Sequence, residues 1–241
     1  MIAGTVTSLH RWPVKSLAGE DADALNLDPR GIAGDRAHAL YDVHKGRPRR
    51  LTVRQAPGML RWQAAYAGCP GAALPSRDVP LPTVTAPDGT TTFAWDDPAL
   101  PAALSDDLGR EVKLRRDLSL MQDLGNSILV TTQATLDAVA RELDRDLDLR
   151  RFRTNVHLVL DGVDAYAEEG WEGRRLRVGD VELQLLHPCE RCVIPTRDPD
   201  TTAKDPNILR WLTRHHRGLF GINARPRGDG TIRVGDQVAL A

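Results

Sequence analysis

Seven prolines fall in the stretch from Cys69 to Pro101: Pro70, Pro75, Pro80, Pro82, Pro87, Pro98 and Pro101. Each removes a backbone donor and clashes with the preceding helical turn, so no long helix can run through this part of the chain. Short strands and turns remain. Pro87-Asp88-Gly89 separates Val84-Thr85 from Thr92-Phe93, which predicts a hairpin. The same punctuation recurs earlier. Ile2, Thr5-Val6 and Leu9 predict an opening strand that Pro13 ends. Gly31 and Gly34-Asp35 mark turns, Ala37 to Tyr41 predicts another strand, and Leu51-Thr52-Val53 follows a basic loop from Lys45 to Arg50.

Two later segments echo each other: Leu176-Arg177-Val178-Gly179-Asp180-Val181 and Ile232-Arg233-Val234-Gly235-Asp236-Gln237-Val238. Each alternates around a Gly-Asp pair, as a tight strand reversal does. Two copies are too few for a solenoid and fit a barrel of short strands. Helices are few. Ile128-Leu129-Val130 reads as a buried strand, and Thr131 or Thr132 then caps a helix whose face carries Leu136, Val139, Ala140 and Leu143. Val156 to Leu160 predicts a strand. A last helix starts with Asp205 as cap and Pro206 in the first turn, with Ile208, Leu209 and Leu212 on its apolar face. The expectation is a β-rich α+β chain. The 241 residues allow one large domain or two small ones, and the end of the proline-rich stretch puts a boundary near Asp106, dividing 1–105 from 106–241.

An apolar fraction of 41% supports a buried core. With 32 basic and 33 acidic side chains, the net charge of −1 exerts no general pull on nucleic acid or an anionic membrane. The first ten residues lack the pattern of a leader peptide, and no apolar run approaches the roughly 20 residues of a membrane span. A cytoplasmic location is expected. Three cysteines in a chain this long do not make a secreted disulfide framework, so a close pair suggests metal or redox chemistry.

That pair lies in His187-Pro188-Cys189-Glu190-Arg191-Cys192-Val193-Ile194-Pro195-Thr196. Structural zinc needs two more ligands, from Cys69, His187 or His215-His216, and none makes a second metal-ligand spacing. A zinc deaminase needs an upstream H-x-E, and no histidine has a glutamate two residues later. A thioredoxin-like pair must open a helix, whereas Pro195 holds Ile194 out of helical space. The fourth reading is one soft thiolate on a transition metal held mainly by its own organic cofactor, with Arg191 favouring the thiolate. Two inert cysteines in a loop fit the residue types as well.

Pro188-Cys189-Glu190-Arg191-Cys192 followed by Pro195-Thr196-Arg197-Asp198-Pro199-Asp200-Thr201 resembles the signature of MOSC-domain proteins, and within them the subgroup of the mitochondrial amidoxime-reducing component and its bacterial relatives. Further blocks agree in order: Pro13-Val14-Lys15-Ser16, Gly34-Asp35-Arg36, Leu51 to Pro57, Arg151-Phe152-Arg153-Thr154-Asn155, Phe220-Gly221 and Val234-Gly235-Asp236. Thr154 departs from the usual proline, and Thr202 from a frequent glycine. The resemblance implies an N-terminal β-barrel domain followed by a MOSC β-barrel domain with a few helices, and a molybdenum–pyranopterin cofactor between them.

By position in these motifs, it implies that Cys192 binds molybdenum and that Lys15, Ser16, Arg36, Thr131, Thr132, Arg153, Glu190 and Arg191 lie near the pterin and its phosphate. Charge-assisted bonds from Lys and Arg, and free amides where a helix begins at Thr131-Thr132, suit a phosphate independently. The same cations also read as ordinary surface charges, and Thr132 as an ordinary cap. The implied reaction is reduction of an N-hydroxylated small molecule, with Asp198 and Asp200 as possible proton donors beyond Cys192. An Asp-Pro-Asp-Thr run is equally a good turn sequence. No iron–sulfur cysteine cluster follows the Val-Gly-Asp strand, so electrons are expected from a separate donor protein, ferredoxin- or flavoprotein-like. The basic loop at Lys45, Arg47, Arg49 and Arg50 could dock it. A non-catalytic carrier of the cofactor or of sulfur is the alternative.

Overall fold

The computed structural model describes residues 2–240 apart from 67, 69, 70, 77 and 119–127. Cys69, weighed above as a zinc ligand, lies outside the described residues. Alternating apolar and polar residues build a closed barrel of seven strands, labelled in chain order β1 (Ile2–Arg11), β2 (Ile128–Thr132), β3 (Val156–Leu160), β4 (Arg175–Val178), β5 (Val181–Glu190), β6 (Leu219–Pro226) and β7 (Gln237–Leu240). Around the ring they run β3-β2-β6-β5-β4-β7-β1, and β1 closes onto β3. The parallel pair is β2 with β3, which needs a crossover. Helix α2 (Gln133–Glu142) lies in that connection. Val6, Leu9, Val130, Leu158, Leu176, Leu183, Ile222 and Val238 belong to one buried core.

The opening strand is therefore laced into the second half of the chain. Ile2 to Thr5 pair with β7, and Gly4 to Leu9 pair with β3. The Gly230–Arg233 strand likewise pairs with Ala24–Asp28. The two echoing segments behave differently. The first is a hairpin, with β4 and β5 paired around Gly179-Asp180. The second is not, which corrects the expectation. Val6 captures its turn: the Gly235 amide donates to the Val6 carbonyl at 2.9 Å, and the Val6 amide to the Asp236 carbonyl at 3.0 Å. The chain thereby passes from one sheet to another, and β7 pairs with β1 and β4 instead.

A second core gathers Val14, Leu17, Leu40, Leu51, Met59, Trp62, Leu100 and Leu104. Two three-stranded sheets surround it. In one, His38–His44 lies between Arg47–Arg50 and Lys113–Arg116; in the other, Thr83–Thr85 lies between Gln63–Ala65 and Thr92–Ala94. The expected hairpin is present, with Val84 opposite Phe93. Its turn is tied by Asp88, whose carboxylate accepts the Thr90 and Thr91 amides at 2.8 Å. Among the described residues, the proline-rich stretch holds no α-helix until α1 (Leu100–Leu108), where Pro101 sits in the tolerated first turn.

The basic loop is a correction. Only Lys45-Gly46 turns; Arg47–Arg50 is a strand, and Arg49 pairs with Asp42 at 2.5 Å. Helix α3 (Asn207–His216) starts one residue later than expected, with Pro206 in the cap position, and the Asp205 carboxylate accepts the Asn207 amide at 2.9 Å. Its Ile208 and Leu212 are buried. Among the described residues, no helix is long and apolar enough to cross a membrane.

Candidate functional site

The segment Arg151–Asn155, which runs into β3, touches nearly every region singled out in the sequence. Arg153 is 6% exposed and left-handed, with φ 52°. Its Nη1 donates to the Leu17 carbonyl at 2.7 Å, and its guanidinium lies 4.1 Å from the Trp12 ring centroid. Trp12 is fixed in turn: its indole N–H donates to the Thr154 carbonyl at 3.0 Å, and its amide to Asp35 at 2.8 Å. Arg36 donates to the Asp35 carboxylate, to Asn155 Oδ1 at 3.2 Å and to the Arg153 carbonyl at 3.2 Å. The fully buried Asn155 accepts the Leu129 amide at 3.1 Å and donates to the His10 carbonyl at 3.1 Å.

Ser16, Arg36 and Arg153 all have positive φ, at 71°, 48° and 52°. Each left-handed side-chain-bearing residue costs on the order of 1 kcal/mol or more and persists only where its surroundings impose it. Arg36 and Arg153 are bonded to each other, and Ser16 precedes Leu17, whose carbonyl takes Arg153. The Ser16 hydroxyl is buried and has no hydrogen-bond partner. An orphaned buried hydroxyl costs about 1–3 kcal/mol, so it is suited to a ligand that completes it. Lys15, next to it, is half-buried.

The cysteine loop is stapled to the same segment. Strand β5 shifts register against β6 between Leu185 and Pro188, and again between Pro188 and Glu190. Such irregularities bend a strand end. Gly221 on β6 permits the close approach: its φ is 74°, and a Cβ there would lie 2.7 Å from the Val130 carbonyl oxygen. Cys189 is half-buried on β5, whereas Cys192 is exposed just beyond it. Arg191 corrects an expectation. Its Nη1 lies 3.1 Å from Cys189 Sγ, not against Cys192, and its Nη2 donates to the Phe152 carbonyl at 2.6 Å. Phe152 stacks on Phe220 with ring centroids 3.7 Å apart.

Two aspartates complete the staple. Asp198 pairs with Arg151 at 2.7 Å, and Asp200 with Arg150 at 2.8 Å. Asp198 also accepts the Thr201 amide and hydroxyl, each at 2.9 Å, which together hold its pKa below the ordinary carboxylate range. These bonds tie Asp198 both into its own loop and to Arg151.

The two threonines diverge. The Thr131 hydroxyl is buried, 2.7 Å from His157 Nδ1 and 3.2 Å from Thr154 Oγ1. Gln133 places its carbonyl oxygen 2.9 Å from His157 Nε2, while its own amide donates to Asp137 at 2.6 Å. That orientation assigns the proton to Nε2 and leaves Nδ1 to accept from Thr131. Burial pushes the imidazole down to about 4, so it is neutral at pH 7. Thr132 faces the other way. It caps α2 by accepting the Thr135 amide, and it lies 3.3 Å from the buried Glu168 carboxyl. Burial raises the Glu168 pKa. The start of α2 is thus already filled by a protein acid. Glu190 is exposed at the end of β5.

The network therefore unites Ser16, Arg36, Thr131, Arg153 and Arg191, and leaves Thr132 and Glu190 at its margins. Sequence reasoning missed Trp12, Asp35, Asn155 and His157 as site residues. Asp35 and Asn155 lay inside the quoted Gly34-Asp35-Arg36 and Arg151–Asn155 runs, and that signal could have found them. No cluster of three or more His, Cys, Asp or Glu able to hold a metal ion occurs among the described residues. The donors present, Lys, Arg and an unbonded serine hydroxyl beside one exposed thiol, fit a phosphorylated organic group bearing a soft metal.

Comparison with known proteins identifies the family. A family model described as MOSC N-terminal beta barrel domain matches residues 3–105, and one described as MOSC domain matches residues 117–239. Human mitochondrial amidoxime-reducing component 1 is 34% identical over 125 residues, 46% of this chain and 36% of that protein. The chain thus matches about a third of that relative's length. Bovine mitochondrial amidoxime reducing component 2 is 24% identical over 281 residues, 98% of this chain and 82% of that protein. A molybdenum cofactor sulfurase of Caenorhabditis briggsae is 24% identical over 247 residues, 92% of this chain and 33% of that protein. In fold, the YuaD protein of Bacillus subtilis superposes with a TM-score of 0.52 at 15% identity, covering 100% of this chain and 98% of that one.

Proposed function

Because the chain belongs to the MOSC family, we propose that it binds a molybdenum–pyranopterin cofactor through Cys192 and reduces N-hydroxylated small molecules. The balance for an amidoxime is N–OH plus two electrons and two protons, giving the amidine and one water. When bound, the cofactor supplies this two-electron chemistry at molybdenum. The supporting observation is the buried network centred on Arg153, with its strained arginines and orphaned Ser16 hydroxyl, stapled beside an exposed cysteine.

The chain's own residues have separate tasks. Lys15, Ser16, Arg36 and Arg153 hold and neutralise the anionic end of the cofactor. Thr131 lines the site with a hydroxyl oriented by His157. Arg191, with one hand on Cys189 and one on the Phe152 carbonyl, sets the height of the loop that presents Cys192. Asp198 and Asp200 keep that loop in place through Arg151 and Arg150, and protons come from solvent at the exposed Cys192 edge. Glu190 flanks this edge, and Thr132 acts through the α2 cap. A separate ferredoxin- or flavoprotein-like donor supplies electrons. In module terms we place the boundary at 105/106, with β1 of the first module completing the barrel of the second.

The test uses protein made in cells that synthesise the cofactor. Benzamidoxime or hydroxylamine should be reduced with an artificial electron donor. Cys192→Ser should abolish turnover, and Cys189→Ser should lower it about tenfold, as loss of a neighbour to a metal ligand does. Equal losses would remove the single-ligand assignment. The second reading is a cofactor or sulfur carrier. It is favoured by the exposure of Cys192 and by the similarity to the C. briggsae sulfurase. Persulfide on Cys192 in metal-free protein, with no reduction of either substrate, would select it.

A further inference from the structure

One open groove of about 640 Å³ is lined from the residue that follows the proposed metal ligand onward. Val193, the residue after Cys192, forms one wall together with Thr196. This wall is rigid: the Thr196 hydroxyl donates to the Val193 carbonyl at 2.7 Å, and the Asp205 amide donates to the Thr196 carbonyl at 2.7 Å. The opposite wall is α3. Its buried face carries Ile208 and Leu212, so the groove is left with Pro206, Leu209 and the helical neighbours Arg210 and Arg214. Lys204 closes the rim.

Two properties of this groove go together. Its floor is apolar, which suits a hydrocarbon or aromatic body. Its charged lining consists of cations: Lys204, Arg210 and Arg214. Three carboxylates of this region are committed elsewhere, and Glu142 lines a neighbouring pocket together with Arg210 and Arg214 without reaching ion-pair distance of either. Asp205 pairs with Arg145, Asp198 with Arg151 and Asp200 with Arg150. Arg210 spends one N–H on Asn207 Oδ1 at 2.7 Å, and among the described residues none of the three cations has a carboxylate within ion-pair distance. A groove with an apolar floor and uncompensated guanidinium groups attracts amphiphilic anions.

We propose that this groove holds the non-reacting part of the substrate and selects an N-hydroxylated compound that carries an apolar body and an anionic group such as a carboxylate. The inference rests on the reading of Cys192 as the metal ligand, and it adds the substrate class. The N-hydroxyl end reaches the Cys192 edge, the apolar body lies along Val193 and Leu209, and the anionic group meets Arg210, Arg214 and Lys204. A neutral substrate of the same shape gains only the apolar contact.

Binding can be measured without turnover. Biphenyl-4-carboxylate and biphenyl-4-carboxamide have the same body and differ in charge. Titrated into the full-length protein and followed by NMR shift changes at α3, the carboxylate should bind about tenfold more tightly, a difference of ~1.4 kcal/mol. That preference should shrink in 0.5 M salt and vanish in the exposed-surface variant Lys204→Gln/Arg210→Gln/Arg214→Gln. In the loaded enzyme, the kcat/KM ratio of 4-carboxybenzamidoxime to benzamidoxime should fall by about the same factor in that variant. Equal binding of acid and amide, or a preference that survives the triple substitution, would overturn the groove assignment. Selective carboxylate binding in a protein that reduces no amidoxime would instead leave the groove standing and remove the proposed reaction.

Discussion

The two cysteines differ in their surroundings. Arg191 turns back to Cys189 and the Phe152 carbonyl, so Cys189 is half-buried against a guanidinium and Cys192 is the exposed thiol. Ser16, Arg36 and Arg153 were legible as cations and a hydroxyl within short motifs. Their left-handed backbones were not, because only the assembled loops impose them. Asn155 was invisible as a site residue for a related reason. Its partners His10, Asp35 and Leu129 are far away in sequence, and no local pattern announces a side-chain bond spanning 120 positions. Asp198 read as a possible acid in a turn sequence, and its bonds to Thr201 and Arg151 were not legible there. Phe152→Ala tests the support at this scale. Removing a fully buried ring that stacks on Phe220 should cost about 3–5 kcal/mol of unfolding free energy in urea titrations. A loss below about 1 kcal/mol would show that the stack does not support the loop.

The start of α2 carries the most informative local conflict. The cap was readable from Thr132, but the acid beneath it was not, because Glu168 lies in a separate short 3-10 turn, Ala167–Gly170. Its carboxyl takes the Thr135 hydroxyl at 2.9 Å, and burial holds its pKa above the ordinary value. The folded state therefore binds this proton more tightly than the unfolded chain does. The stabilisation is complete below the unfolded pKa and is lost as pH rises through the folded one. Glu168→Gln keeps the shape and removes the titration. It should be more stable than the parent at pH 8 and lose that advantage at pH 5, as read from melting temperatures. An advantage independent of pH would refute the assignment. Other elements were legible to different degrees. The Val84–Phe93 hairpin follows from its turn residues. The Arg47–Arg50 strand holds three arginines and a proline and is recruited by register with Asp42 and Tyr41, which composition does not reveal.

Across the whole molecule, the barrel closes only because its first strand returns to strands at least 147 residues away. Periodicity predicted most of these strands. Their partners depend on the capture of the Gly235-Asp236 turn by Val6, which no pattern in the chain encodes. Two buried histidines make the fold sensitive to acid. Burial depresses both His38 and His157 from 6.5 to about 4. Depressed bases leave the unfolded state binding more protons, so their contribution is full above pH 6.5 and is lost as pH falls toward 4. At about 1.4 kcal/mol per unit and group, the pair should cost several kcal/mol across that window. Urea unfolding at pH 7 and pH 4.5 should show the fall, and a His38→Gln/His157→Gln variant should show a shallower one. An unchanged slope would mean that other groups drive the transition.

In the proposed function, the Arg153 network holds a phosphorylated molybdenum carrier beside Cys192. The molybdenum-to-protein ratio of correctly folded protein, purified from cells able to make the cofactor, tests it most directly. A dedicated site should fill to about one metal per chain. Folded protein from the same cells that holds zinc or no metal at all would contradict the claim.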